Sequence, residues 1–208
     1  TKVSDNLSNI VPDLFINYQI KQSENIRLNY AVNREFTDIN NLFEGYVLNN
    51  YNSIYQGNRN LESALYHKIS LNYTSFNMFN FQNIFVNLSY NKRIDPFKGS
   101  NSIIGINQVN STVNSNFSDE IYSGLFNFQR SFKKIKTNLG SRISYSNFYN
   151  IVNETPILSK NFTQNYKISF TTTFQKAPNF EVGYNYTVNN YDNGGMNSTF
   201  YTNSPFIK

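Results

Sequence analysis

The stretch "NFTQNYKISFTTTF" (161–174) separates into two interleaved sets of side chains. Phe162, Gln164, Tyr166, Ile168, Phe170, Thr172 and Phe174 form a set that is mostly apolar and aromatic. Asn161, Thr163, Asn165, Lys167, Ser169, Thr171 and Thr173 form a set with no apolar member. Successive side chains of a strand point to opposite faces, so this period of two predicts a strand with one apolar and one wet surface. The pattern recurs over 13–20, 26–33, 64–74, 81–92, 120–129, 135–147 and 180–189. In "ALYHKISLNYT", for example, Leu65, His67, Ile69, Leu71 and Tyr73 stand opposite Tyr66, Lys68, Ser70 and Asn72. Helical periodicity is weak throughout, and an all-β fold of about eight strands follows.

What fills the wet faces is unusual. Charged residues make up only 15% of the chain, against about a quarter in ordinary soluble domains, and the missing polarity is supplied by Asn (38 of 208), Ser, Thr and Gln. Low-complexity disorder shares such a composition but lacks sustained alternation. A soluble sandwich also alternates, but its outer faces carry Lys and Glu for solubility. Uncharged Asn, Ser, Thr and Gly instead suit a crowded, water-filled interior. Aromatics stand near the strand ends on the apolar face (Tyr18, Tyr73, Tyr90, Tyr145, Phe162, Phe174, Phe180), where interfacial girdles belong.

The connections support a membrane wall. Those at 21–25, 75–80, 131–134 and 175–178 are short, whereas 34–62, 93–118 and 148–160 are long and lack sustained alternation. Tight turns at one end and extended loops at the other describe an outer-membrane barrel, whose strands need about 9–11 residues to cross hydrocarbon at a tilt. On this reading Ile168 and Phe170 face lipid, and Ser169 and Thr171 face water. No apolar run is long enough for a membrane helix. No signal peptide is read in "TKVSDNLSNI", which begins without an initiator Met.

Little catalytic chemistry is legible. There is one histidine, His67, placed on an apolar strand face, and there are no cysteines. Nucleophile elbow, P-loop and zinc-protease motifs are absent. Asp119 and Glu120 are adjacent and so point to opposite faces, which disqualifies them as a paired acid and base. Glu35, Asp38 and Glu44 share the first long loop without the spacing of a calcium loop. The tightest basic group, Lys133, Lys134 and Lys136, has no second stripe beside it, so nucleic acid is not an expected partner. No enzyme, metal or cofactor is expected. The candidate ligand contacts are Tyr46, Tyr51, Tyr55 and Arg59 on the first loop, which either meet a ligand or pack the loop over the barrel mouth.

At "YQGNRNLESALYHKISLNYTSF" (55–76) the chain resembles the barrel of TonB-dependent receptors, and in particular SusC-like outer-membrane barrels. In these a segment of the form "GNPNLKPE" closes an outside loop and leads into a strand ending in an L-x-Y pair. Gly57, Asn58, Asn60, Leu61 and Glu62 match that segment, while Arg59 and Ser63 depart from it. "DLFINYQI…IRLNYAVNREF" and "YSGLFNFQRSFKKIKTNLGSRISYS" are similar to other hairpins of the family. The resemblance implies that residues 1–208 are part of one barrel domain of about 22 strands, without its plug, in the outer membrane of a Gram-negative bacterium. It implies import of a nutrient (glycan, peptide or metal chelate) through a plugged lumen. The implied partners are the lipid bilayer, the rest of the barrel and its plug, a TonB-type energising protein and a surface lipoprotein. The alternatives are a non-transporting surface barrel (adhesin or secretion-complex subunit) and a self-contained eight-stranded barrel.

Overall fold

The computed structural model describes residues 11–208, so "TKVSDNLSNI" lies outside the described residues. Thirteen strands follow in chain order. They are β1 (Asp13–Lys21), β2 (Glu24–Glu35), β3 (Tyr46–Asn50), β4 (Ser53–Gln56), β5 (Ala64–Asn77), β6 (Gln82–Ile94), β7 (Phe97–Ile104), β8 (Asn107–Asn114), β9 (Asp119–Phe132), β10 (Ile135–Val152), β11 (Thr155–Thr172), β12 (Glu181–Asn193) and β13 (Met196–Ile207). The fold is all-β, with one short 3-10 turn at Ile39–Leu42.

Two sheets in one account for the difference from about eight strands. Strands β1-β2-β5-β6-β9-β10-β11-β12-β13 form an antiparallel wall of nearest neighbours. Eight of these nine lie on the alternating runs. The ninth, β13, lies beyond the last of those runs. It pairs with β12 across Gly194–Gly195, both at positive φ (59° and 92°), the two-residue turn whose twist suits a hairpin. Pro205 lies within β13, a strand paired on one side only, where a missing N–H costs no ladder bond.

The other four strands lie within the expected long connections. β3 pairs with β4, β4 runs parallel to β8, β8 pairs with β7, and β7 meets β10 in a short parallel pairing (Ile151↔Ser100, Val152↔Asn101). The 34–62 and 93–118 segments are therefore ordered, and together they build a loop sheet. The 148–160 segment is a continuation of β10 and β11, which turn tightly at Asn153–Glu154. These pieces are short or very polar, and half of their pairing partners are distant in sequence, so alternation had little to report.

Register carries the facing from strand to strand. Leu28, Leu71, Leu88, Gly124, Ile143, Gln164 and Val188 lie in one cross-strand row on the apolar face. One residue further along each strand, Asn29, Ser70, Ser89, Ser123, Ser144, Thr163 and Asn189 form a row on the polar face. A slip of one residue anywhere would scramble both. Ser169 is the exception to the water-facing expectation. It is only 1% exposed, because the Phe206 ring lies across Gly183, its partner on β12, and Asn138 Nδ2 donates to its Oγ at 3.2 Å.

The wall is a single layer. Among the described residues every substantial contact between elements joins hydrogen-bonded neighbours, so no second layer of these residues packs on either face. Among the described residues the buried apolar side chains are few, Val32, Ala64 and Pro96, while Leu88 and Phe170 remain nearly half exposed. A soluble chain of this length hides most of its apolar surface, at about 25 cal/mol per Å². The described residues of this one leave a whole apolar face with no protein against it. Within the described residues β1 pairs only with β2 and β13 only with β12, so the sheet is open and is not a closed small barrel.

Candidate functional site

The wall's two ends differ. Short turns at 22–23, 78–81 and 133–134 mark one end together with the 173–180 connection. The loop sheet stands at the other end. There the apolar face closes with an aromatic row, Tyr90, Tyr122, Tyr145 and Phe162, whose successive ring centroids are 4.7, 6.2 and 6.1 Å apart. The next row holds His67, Lys92, Glu120, Asn147 and Lys160. Lys92 Nζ is 3.1 Å from Glu120, and the Tyr90 and Tyr122 hydroxyls donate to the same carboxylate at 3.2 and 3.1 Å. His67 Nδ1 lies 3.0 Å from the Tyr30 hydroxyl. Rings followed by charge are the sequence expected where hydrocarbon gives way to headgroups.

Behind that boundary, on the polar face, is a cavity of about 320 Å³ lined by Tyr66, Arg93, Asp119, Ile121, Ser146 and Phe148 among others. Strands β5, β6, β9 and β10 contribute these side chains at positions of polar parity. Arg93 lies 5.7 Å from the centre of the Tyr66 ring and pairs with Glu35 at 2.8 Å. Asp119 pairs with Lys98 of β7 and accepts the Tyr149 N–H at 3.3 Å. Lys98 is buried, and that burial pushes its ammonium below the usual lysine range, with Asp119 acting against the shift. The opposite facing of Asp119 and Glu120 thus holds, each with its own lysine. The charges are matched one to one, so the site has no strong preference for either sign. Arg93 Nε is buried without a hydrogen-bond partner among the described residues, so one donor remains unused beside the cavity. Such a mixture of rings, amides and balanced charge suits recognition of a ligand.

The four loop residues expected to contact a ligand do not gather here. Tyr46 and Tyr51 are exposed on the β3–β4 hairpin, and Arg59 is exposed on the turn after β4. Tyr55 is a packing residue whose hydroxyl donates to Asn41 Oδ1 at 2.8 Å and lies 3.1 Å from Thr112 Oγ1. The carboxylates of the first loop are also dispersed. Glu35 holds Arg93, while Asp38 accepts the Asn40 N–H at 2.8 Å. No group of three metal-ligating side chains occurs among the described residues. Sequence reasoning missed the cavity residues, although Tyr66 carried a signal: it is an aromatic on the polar side of its strand.

The "GNRNLE" segment ties the loop layer together. The Asn58 N–H donates to Asn41 O at 2.6 Å. Asn60 N–H donates to Asn58 Oδ1 at 2.9 Å. Asn114 of β8 takes the Glu62 N–H at 2.9 Å and donates to Asn60 O at 2.8 Å. Asparagine serves here because one uncharged side chain both gives and accepts. Gly57 is required by close approach: a Cβ would stand 2.3 Å from Phe43 O and 2.7 Å from Asn41 O. Gly57→Ala is expected to cost this layer about 1–3 kcal/mol. It should speed proteolysis within 36–63 while membrane insertion is unchanged. Unaltered cleavage would contradict the tie.

The profile of the outer membrane protein beta-barrel family matches residues 1–208. No curated protein and no solved structure matches the chain.

Proposed function

The chain belongs to the outer membrane protein beta-barrel family and resides in the bacterial outer membrane, and from that premise we propose that it is wall and surface loops of a TonB-dependent, SusC-like importer. The observation that carries the membrane part is the single-layer wall with an uncovered apolar face. What supports import is the asymmetry across that wall: a polar face rich in Asn, Ser and Thr with scattered charges such as Lys68 and Lys167 on one side, and an ordered loop layer with a balanced recognition cavity at one end. A polar wall lets a hydrated nutrient pass, and the loop layer selects it. The chain itself performs no reaction in this reading. Force comes from a TonB-type protein acting on a plug, and β1 and β13 continue into the remaining wall strands.

Two experiments separate the parts of this reading. With the loop sheet outside, a tag inserted at Asn50 is labelled on intact cells, and one between Lys133 and Lys134 only after permeabilisation. The reverse labelling would invert the orientation. For import, deleting the protein and deleting the energising protein should give the same, non-additive growth defect on the cognate nutrient. A loss of attachment with normal growth would support a surface adhesin and overturn import.

A further inference from the structure

We propose that β3 is a docking edge for an extended strand of a second protein, apolar in alternation and flanked by basic residues. The proposal rests on the loop sheet lying outside the cell. The order β10-β7-β8-β4-β3 sets β3 farthest from the wall. Among the described residues it pairs with β4 along one side only, and all five of its residues are exposed. Unlike β1 and β13, whose open edges lie in the wall, this edge stands in water. Its unpaired N–H and C=O groups repeat at strand spacing, and another strand answers such a row with matched groups.

Side chains give the occupant its character. Tyr46 (70%) and Leu48 (69%) are exposed on one face of β3 and Val47 (45%) on the other, so the partner gains by presenting apolar side chains alternately. Free edges are normally guarded by Lys, Pro or a bulge. Between Glu35 and Asn58 there is no Lys, Arg or Pro, and the one irregularity in pairing falls near the end of β3, between Leu48 and Asn50. In a chain of net charge +5 this stretch holds only acidic charges, Glu35, Asp38 and Glu44. Glu35 is taken by Arg93, while Glu44 is exposed beside the edge and forms no ion pair among the described residues. A basic flank on the incoming strand complements it.

The test uses the full-length protein in lipid and hydrogen exchange at the β3 amides. The probe is a synthetic peptide of about ten residues, alternating Val and Thr with Lys at both ends. The β3 amides should exchange rapidly alone and slow when the peptide is added. Alternate N-methylation of the peptide should abolish the effect. Glu44→Lys and Leu48→Lys should each weaken binding by about tenfold or more, with exchange in the wall strands unchanged. Three results would overturn the proposal: β3 amides already protected before addition, which would mean the chain's own segments cover the edge; equal protection by the N-methylated peptide; or no binding. Labelling at Asn50 only after permeabilisation would instead overturn the orientation, independently of the edge.

Discussion

Ile168→Arg should cost the folded protein about 2–4 kcal/mol in a bilayer. Ile168 sits between Leu139 of β10 and Tyr184 of β12 on the apolar face, with Phe162 and Phe174 flanking it along the sequence. It is 38% exposed with no protein layer above it among the described residues, and with hydrocarbon on that face a guanidinium there has no water and no partner. Thr163→Arg makes the same chemical change on the polar face and should be far milder. Lys167 shows that a cation is accepted one residue away, on that polar face, where its Nζ lies 5.6 Å from the Phe206 ring. Ser169 would be a poor control despite its polar parity, since it is buried. Urea titrations of both variants in vesicles would measure the difference, and equal costs would count against a membrane wall.

Asp119→Ala should be the most damaging single change in the loop layer. Lys98 is 5% exposed at its side chain and Asp119 is 18% exposed, and truncating one partner of a buried pair costs about 3–5 kcal/mol because the remaining charge is stranded. Arg93, the register partner of Asp119 on β6, adds repulsion once the carboxylate is gone. Lys98→Met combined with Asp119→Ala should recover much of the loss, as it removes the stranded ammonium. The sign with pH follows from burial lowering the Lys98 pKa. In the single variant the penalty is complete at pH below the lowered folded-state value. It declines as pH rises through the lowered folded-state value and vanishes above the unfolded lysine range, where the amine is neutral in both states. Hydrogen exchange at β7 and β8 would report it. A double variant no better than Asp119→Ala would show that the pair is not the cause.

The wall was legible because alternation is a local signal. Each of the eight runs declares its own two faces, and register then aligns them without further information. β13 was missed because "MNSTFYTNSPFI" gives its outward parity to Thr199, Tyr201, Asn203 and Pro205, too polar to register as an apolar face. The Asn-Gly-Gly before it was the available clue. The loop sheet was hidden for another reason. The parallel pairs of β4 with β8 and of β7 with β10 join segments far apart in the chain, and four to eight polar residues set no period. The tyrosines that the sequence offers on the first loop lie away from the cavity. Tyr55 is a fastener, while Tyr66, Arg93 and Asp119 come together only when three wall strands are in register.

The central claim, that lipid meets the apolar face of a single-layer wall and water meets the other, is tested most directly by collision accessibility along β11. Nitroxide labels placed singly at positions 162 to 171 of the full-length protein in bilayers would be exposed to oxygen and to a water-soluble nickel chelate. Oxygen accessibility should peak at Phe162, Tyr166, Ile168 and Phe170, and chelate accessibility at Thr163, Asn165 and Lys167, the two curves alternating out of phase with a period of two. In-phase curves, or chelate reaching Ile168 as readily as Lys167, would contradict it.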